Sequence, residues 1–294
     1  MIIFLNTTYI FYPALLFTLT GKSSIIQELF IMRGRIITTI CLTAGAAFIS
    51  GIAWGETVGE RYHEETKHTW SQMMRESTAP KPPMPPPFKD LKGEKMNLPK
   101  PEFKGLTIEE ALIKRRSLRD YTTKPLNIAE LSQLVFAAQG VTGKIYGTMV
   151  RTAPSAGALY PYEIYLLVNN VERLKKGIYH YSVRDHSIIL VREGDFRKEL
   201  RRACLEQDMV HDAAVNFVLV AVVDRVRAKY GERGYRYIYM EAGHISQNLY
   251  LQAASLGLGS VVIGAFIDDD MHKLLQIDGR KEIVVSIQAV GKLQ

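Results

Sequence analysis

Three arginines and a serine lie within five positions and could bind an anion. They are Arg115, Arg116, Ser117 and Arg119. The planar guanidinium of arginine matches the oxygens of a phosphate, and the serine hydroxyl adds a neutral donor. The same residues could instead form a solvent-exposed helix end, where positive charges complement the helix dipole. The segment by itself leaves both interpretations open.

A loop of small residues between two prolines could accept a flat ligand. It spans residues 153–161 (APSAGALYP), includes Pro154, Ser155 and Gly157, and leads directly into a predicted buried strand. Backbone amides in such a loop can approach a ring closely, and ligands gather at the ends of strands. Loops of this composition are also common without any ligand, so the position before a strand is the informative part.

A second segment, residues 256–266, places Val262, Ile263 and Gly264 in an apolar run that follows Gly257. A C-capping glycine at the end of a helix explains Gly257. Gly264 is better explained by the close approach of a ring or of another backbone. The chain has no G-x-G-x-x-G followed by an acidic residue, which argues against a Rossmann dinucleotide site.

Lys229 and Tyr230 are adjacent and could move a proton in a closed site. The competing interpretation is a charged loop and the first exposed turn of a helix, and these residues alone favour it. His211 and His244 are isolated, and the sequence shows no spacing typical of metal ligands. We therefore expect no bound metal.

The elements that must position these residues can be predicted from periodicity and capping. Thr107 and Glu110 predict a capping box for a helix that ends near Arg115 and Arg116. The other predicted elements are helices at 128–139, 235–256 and 268–275 and strands at 162–169, 178–182, 187–191, 214–223, 261–266 and 283–290. Because strands and helices do not alternate strictly, we predict an α+β fold with a mixed central sheet flanked by helices.

Residues 1–55 are predicted to direct the chain to a membrane. The run Ile36–Trp54 carries no charge, follows Arg33 and Arg35, and is long enough to cross a bilayer. It is either a cleaved signal peptide with the true start at Met32, or a membrane anchor. Both place the rest of the chain outside the cytoplasm, and a cytoplasmic location is the alternative.

Residues 56–105 are predicted to be a proline-rich linker or an arm, and residues 106–294 the folded domain. Hydrophobic residues make up 47% of the 294 residues, as in an ordinary globular protein. The net charge of +7 is scattered and forms no basic stripe, so we expect no nucleic-acid partner. Cys41 and Cys204 are the only cysteines, and the first lies in the apolar leader, which excludes a disulfide within the domain.

Taken in order, four segments resemble the nitroreductase superfamily and, within it, the SagB-type dehydrogenases. They are EEALIKRRSLRDY (109–121), RTAPSAGALYPYEIYL (151–166), KYGERGYRYIYMEAGHISQNLYLQAASLGLG (229–259) and VVIGAF (261–266). The resemblance covers roughly residue 98 to the end. It implies an FMN-binding α+β fold that forms an intimate homodimer, with two FMN molecules at the subunit interface.

The resemblance also implies roles for individual residues. Arg115, Arg116, Ser117 and Arg119 would hold the FMN phosphate and ribityl chain. Pro154, Ser155 and Gly157 would lie near the isoalloxazine, often from the partner subunit, and Val262, Ile263 and Gly264 would run along the ring. Gln247 and Asn248 are further candidates, and Lys292 is the candidate for an additional phosphate contact. Lys229 and Tyr230 match the pair that removes the substrate proton in azoline-oxidising members.

The leading hypothesis is an FMN-dependent oxidoreductase that moves hydride between flavin and a small or peptidic substrate, with NAD(P)H as a candidate transient donor. An exported position would separate the domain from the cytoplasmic nicotinamide pool. Two alternatives stay open on the same fold: a non-catalytic flavin-binding module in a membrane-associated assembly, and a flavin-remodelling enzyme.

Overall fold

The computed structural model describes residues 56–294, which form parts of two compact units. The predicted signal or anchor, residues 1–55, lies outside the described residues. The first unit ends at Glu65 and the second runs from Thr66 to Gln294. Within the described range, no helix is long and apolar enough to cross a membrane.

A seven-stranded sheet forms the centre of the second unit. In spatial order its strands are β1 (Lys95–Asn97), β6 (Ser187–Glu193), β5 (Gly177–Ser182), β4 (Tyr162–Val168), β7 (Val215–Val222), β9 (Glu282–Lys292) and β8 (Leu258–Ile263). Neighbouring strands are antiparallel. The parallel pairings are isolated bridges that join Ser117 to Ser260 and Leu126 to Val171. Strands β2 (Val141–Ile145) and β3 (Thr148–Arg151) form a separate two-stranded ribbon, which the sequence analysis did not predict.

Helices flank the sheet, and together with it they confirm the predicted α+β class. In the second unit they are α2 (Trp70–Thr78), α3 (Ile108–Lys114), α4 (Ile128–Gln139), α5 (Arg197–Ala203), α6 (Asp208–Asp212), α7 (Asp224–Tyr230), α8 (Gly234–Ser255) and α9 (Asp268–Leu275). Helix α1 (Val58–Thr66) belongs to the first unit apart from its last residue. The predicted capping box is present, because Thr107 and Glu110 each accept a hydrogen bond from the backbone amide of the other. Asn127 and Glu130 form a second such box at the start of α4.

The two faces of the sheet bury two separate sets of side chains. Alternate residues of a strand point to opposite faces, so Ile164 and Leu166 pack with α4 and α8, while Tyr165 and Leu167 pack on the other face with α5 and α9. Helix α8 packs against both α4 and β8. It therefore lies between α4 and the outer strand of the sheet.

The proline-rich segment lies on the domain. Arg225 Nε donates to the carbonyl of Pro86 at 2.7 Å, and Arg151 Nη2 donates to that of Pro87 at 3.2 Å. The ring of Phe88 lies under the guanidinium of Arg151, with 5.3 Å from Cζ to the ring centroid. Farther on, β1 extends the sheet by pairing with β6. Residues from Thr66 thus belong to one compact unit with the sheet, and the boundary at residue 106 stays a prediction.

A buried ion pair connects β4 to α7. Arg225 Nη2 donates to Glu163 Oε1 at 2.5 Å, and His180 Nε2 lies 2.7 Å from Glu163 Oε2. All three side chains are buried. Burial alone would raise the pKa of Glu163, but the hydrogen bond with His180 and the charge of Arg225 outweigh it and lower that pKa. Both partners are therefore needed to keep this carboxylate inside the domain.

We predict that Arg225→Met lowers the free energy of unfolding by about 3–5 kcal/mol, because it leaves a buried carboxylate without its cation. Urea denaturation followed by circular dichroism measures the change. Arg197→Met is the matched control, since the pair of Arg197 with Asp195 is partly exposed and should contribute below about 1 kcal/mol. Equal effects of the two substitutions would contradict the prediction, as would a failure of Glu163→Gln to recover stability in the Arg225→Met background.

Candidate functional site

Tyr250 joins two of the candidate segments at one point. It lies near the end of α8, and only 7% of its surface is exposed. Its hydroxyl accepts from the backbone amide of Val262 at 2.8 Å and forms a hydrogen bond with Ser117 Oγ at 3.0 Å. The guanidinium of Arg115 lies over its ring, 5.2 Å from the centroid. The structure therefore brings the arginine segment and the strand 258–263 together around a residue that the sequence analysis did not single out.

The arginine segment runs along the edge of the sheet. The amide of Leu118 donates to the carbonyl of Ser260 at 2.9 Å, next to the parallel bridge between Ser117 and Ser260. This pairing keeps the chain extended after α3 ends at Lys114. Because a strand alternates its side chains, the pairing fixes the directions in which the arginines project.

The ring of Tyr121 explains the glycines near this edge. A Cβ atom on Gly259 would lie 2.9 Å from that ring, and one on Gly291 would lie 2.6 Å from it. The Tyr121 hydroxyl donates to the carbonyl of Leu118 at 2.9 Å, and burial raises the pKa of this tyrosine. The ring that leaves no room for a side chain at Gly259 and Gly291 is therefore that of Tyr121, a residue of the protein, and not that of a ligand. The strand also begins at Leu258, so the predicted start at residue 261 was wrong, because β8 pairs with the end of β9 from Leu258 onward.

The three arginines carry positive charge that no carboxylate neutralises in the part of the chain that the structure describes. Arg116 Nη1 donates to the carbonyls of Ile113 and Arg115 at 2.8 Å each, and Arg119 Nη1 donates to that of Ser117 at 3.4 Å. Each guanidinium has five N–H donors, so most donors stay available. A cavity of about 190 Å³ adjoins Arg116, and Lys114, Leu118 and Tyr250 also line it. This donor set fits a phosphate group.

The strand beside the arginines presents an open surface. The side chain of Val262 is 40% exposed, whereas its neighbours Val261 and Ile263 are buried. Gly264 is exposed, and a Cβ atom there would meet no other atom within 4 Å. A flat ring could lie on this stretch without displacing protein atoms. Together with the arginines, these residues fit a planar phosphorylated ligand such as FMN.

A second group forms around Gly157, which has a φ of +63°. A Cβ atom on this glycine would lie 2.7 Å from both Lys229 Nζ and Tyr230 Oη. The loop is thus packed against the Lys–Tyr pair, and a larger residue at position 157 would displace it. The ring of Tyr230 also packs edge-on against Tyr237, with centroids 4.8 Å apart. Ser155 belongs to the same loop, where its Oγ accepts from the amide of Tyr160 at 2.8 Å.

The group around Tyr250 and the group around Gly157 contact different parts of α8. The second group contacts the first part of the helix, through Tyr237, whereas Tyr250 lies thirteen residues later. Since an α-helix rises about 1.5 Å per residue, these tyrosines are roughly 20 Å apart along its axis. The described chain therefore does not gather the arginines and the Lys–Tyr pair into one group.

The remaining predicted residues lie apart from both groups or have other partners. Gln247 is exposed, and Pro154 is exposed in its loop. Asn248 lines a cavity of about 520 Å³ between α8, α3 and α4. The ammonium of Lys292 forms a salt bridge with Glu130. Because Glu130 already neutralises the charge of Lys292, this lysine is a weaker candidate for a phosphate contact.

Two buried polar residues of α8, Tyr250 and Glu241, were not predicted from the sequence. Both follow small or apolar neighbours in a long amphipathic helix, and no local pattern distinguishes them from the other tyrosines and glutamates of the chain. Within residues 56–294, no cluster of His, Cys, Asp and Glu could hold a metal ion.

Comparison with known proteins places this arrangement in a family. The model of the family described as "Nitroreductase family" matches residues 112–292 of this chain. The protein MJ1384 of Methanocaldococcus jannaschii, described as a nitroreductase, is 40% identical over 200 residues, which are 68% of this chain and 98% of MJ1384. The microcin B17-processing protein McbC of Escherichia coli is 31% identical over 151 residues, 49% of this chain and 55% of McbC.

Solved structures agree with these matches. A structure from Ralstonia eutropha, described as a nitroreductase, superimposes with a TM-score of 0.60 at 27% identity, over 74% of this chain and 98% of that one. Since the match to the family model covers more than half of the 294 residues, the protein belongs to the nitroreductase family.

Proposed function

We propose that this protein is an FMN-dependent oxidoreductase that moves hydride between flavin and a small or peptidic substrate. The observation that carries the proposal is the set of unneutralised arginines that Tyr250 joins to the open strand β8. Arginine forks match phosphate oxygens, and an exposed apolar strand beside them suits a flat ring. Membership of the nitroreductase family supports the same ligand.

In this proposal each part of the site has one task. Arg115, Arg116 and Arg119 hold the phosphate, and Ser117 hydrogen-bonds the ribityl chain. The strand from Val262 to Gly264 lies along the ring. When bound, FMN supplies the capacity to accept or donate hydride, while the protein supplies position and electrostatics.

We further propose that the active form is a homodimer. The loop with Gly157 contacts Lys229 and Tyr230, and Tyr230 meets α8 at Tyr237. Tyr237 lies roughly 20 Å along the helix axis from Tyr250, which is beside the arginines, so a second copy would have to bring such a loop to the flavin. The exposed face of α8 suits that contact, because Tyr239 is 52% exposed and Met240 is 59% exposed. Large exposed apolar side chains on a regular helix are typical of an interface.

Lys229 and Tyr230 are proposed to handle the proton. Two-electron oxidation of a substrate C–H removes a hydride and releases a proton, and a positioned side chain can accept the latter. Gly157 keeps the loop close to both groups. The likeness to McbC favours a peptidic substrate, and NAD(P)H is the proposed transient donor in the reductive direction. The N-terminal segment is proposed to place the domain outside the cytoplasm at a membrane, and no nucleic acid takes part.

Replacement of Arg115 and Arg119 by Ala should abolish FMN retention, because it removes the charges that hold the phosphate. We expect at least a tenfold loss of bound flavin in the full chain purified in detergent, measured by the visible spectrum, with an unchanged circular dichroism spectrum. Arg202→Ala, which removes an exposed arginine on α5, should retain full occupancy. Unchanged occupancy in the double variant would show that the cluster is a solvated helix end.

Tyr250→Phe tests the two hydrogen bonds of the Tyr250 hydroxyl. It removes only the hydroxyl between Ser117 and the amide of Val262, and leaves that amide without its acceptor. We expect FMN to bind roughly 5–10-fold more weakly, since one partly buried hydrogen bond contributes about 1 kcal/mol. Titration of the apoprotein, followed by flavin fluorescence, gives the dissociation constant. Tyr146→Phe, at a fully exposed site between β2 and β3, is the matched control, and equal constants for the two variants would refute the role of Tyr250.

Lys229→Ala and Tyr230→Phe should separate chemistry from binding. Both variants are expected to keep their FMN and to lose at least ~100-fold in the rate of flavin reduction by a thiazoline-containing peptide, because the proton loses its acceptor. Anaerobic stopped-flow absorbance measures that rate. Lys198→Ala, an exposed lysine elsewhere, serves as the control. A wild-type protein that binds FMN but reacts with neither the peptide nor NAD(P)H would favour the non-catalytic module.

A further inference from the structure

The proline-rich segment, residues 81–90, binds two buried cations of the domain, and the proposed function leaves it without a role. The carbonyl of Pro86 accepts from Arg225 Nε at 2.7 Å, and that of Pro87 accepts from Arg151 Nη2 at 3.2 Å. Arg225 is 3% exposed and Arg151 is 7% exposed. Because proline rings fix the backbone φ angle, the segment presents these carbonyls in a restricted geometry.

Arg151 depends on this segment for part of its surroundings. Its guanidinium forms no salt bridge with a carboxylate in the described part of the chain. It donates to Gln139 Oε1 at 3.0 Å and to the carbonyl of Pro87. Its Cζ atom also lies 4.6 Å from the ring centroid of Tyr160 and 5.3 Å from that of Phe88. A buried charge needs such partners, and two of them, Pro87 and Phe88, belong to the proline-rich segment.

The two arginines in turn hold Tyr160, at the end of the loop 153–161. The Tyr160 hydroxyl accepts from the backbone amide of Arg151 at 3.2 Å, and the Tyr160 carbonyl accepts from Arg225 Nη1 at 3.3 Å. Its own amide donates to Ser155 Oγ at 2.8 Å. Tyr160 has a φ of +45°, which is strained for a residue with a side chain and persists only where contacts enforce it. The cations bound by the proline-rich segment supply such contacts.

The Lys–Tyr pair is reached from the proline-rich segment by two routes. The first runs through the loop, because a Cβ atom on Gly157 would lie 2.7 Å from both Lys229 Nζ and Tyr230 Oη. The second is direct, since Lys81 Nζ donates to the carbonyl of Lys229 at 3.0 Å. A displacement of the segment would therefore act on the surroundings of the proposed proton acceptor.

We propose that Phe88 is a positioning residue: by its contact with Arg151 it keeps the loop 153–161 packed against the Lys–Tyr pair. This inference rests on the proposed function, which gives that pair its task in the reaction. A second guanidinium, that of Arg184, lies 4.9 Å from the centroid of the Phe88 ring. The face of an aromatic ring attracts cations, so the ring connects the proline-rich segment to the domain through two of them.

The test replaces Phe88 in the full chain purified in detergent and follows hydrogen exchange of the amides of Ala158 and Tyr160, which are hydrogen-bonded within the loop. In Phe88→Ala we expect these amides to exchange at least about fivefold faster, while those of β7 stay as protected as in the wild type. Phe88→Tyr keeps the ring and should restore protection. Met84→Ala, at a 54% exposed site of the same segment, is the matched control and should behave as the wild type.

The kinetics of the reaction provide a second measurement. At saturating thiazoline-containing peptide, flavin reduction in Phe88→Ala should slow at least about tenfold, because a misplaced proton acceptor lowers the rate of the chemical step. The peptide concentration for half-maximal rate and the dissociation constant of FMN should stay unchanged, and Phe88→Tyr should recover the rate. A purely structural role would lower stability without this separation of rate from binding.

Three results would overturn the inference. The first is loop amides in Phe88→Ala that exchange as slowly as in the wild type. The second is exchange that accelerates equally in the loop and in β7, which would show a general loss of stability. The third is a loosened loop with an unchanged rate of flavin reduction.

Two further provisions keep the test decisive. If Phe88→Ala does not fold, Phe88→Leu, which keeps apolar volume but lacks the ring, is measured against the same criteria. Because hydrogen exchange does not require turnover, a chain that never reduces its flavin would refute the proposed function, and the loop amides would then decide alone whether Phe88 holds the loop.

Discussion

The hydroxyl of Tyr250 is the interaction on which the candidate site depends. A single phenol accepts one hydrogen bond from β8 and makes another to Ser117, while its ring supports Arg115. A buried hydroxyl is stable only when its polar groups are paired. These contacts of Tyr250 therefore fix α8, β8 and the arginine segment relative to one another, and the positions of the arginines follow from them. An arginine cluster on a free helix end would have no such fixed direction.

A second constraint connects the rest of the domain to this site. The buried pair of Arg225 and Glu163 holds α7 against the sheet, and α7 ends with Lys229 and Tyr230. Arg225 also binds the backbone of Pro86. The proline-rich segment thus covers the polar interior near Arg151, where exposure to water would weaken the ion pairs. The position of the Lys–Tyr pair depends in this way on a segment whose composition suggests a linker.

Much of the fold could be predicted from the sequence, because local rules and tertiary packing agree there. The capping boxes and the spacing of apolar residues determine α3, α4 and α9, and the β-rich runs determine the central strands. The ribbon β2–β3 could not be predicted, since its exposed strands lack a clean alternation. The glycines of 257–264 suggested room for a ligand, yet Gly259 is needed by the ring of Tyr121, a contact between residues 138 positions apart in the chain. Such long-range contacts, like those of Tyr250, leave no local signal.

In the homodimer that we propose, the length of α8 accounts for a site that is shared between two chains. A rigid helix of 22 residues keeps its early and late contacts apart, and no side-chain rotation closes a separation of roughly 20 Å. An antiparallel pairing of two such helices about a two-fold axis would place the early part of one beside the late part of the other. An isologous interface requires that relation, because each surface contacts its own copy. The exposed Tyr239 and Met240 lie on the early part of the helix, so their burial would bring the proton-handling pair of one chain toward the arginines of the other.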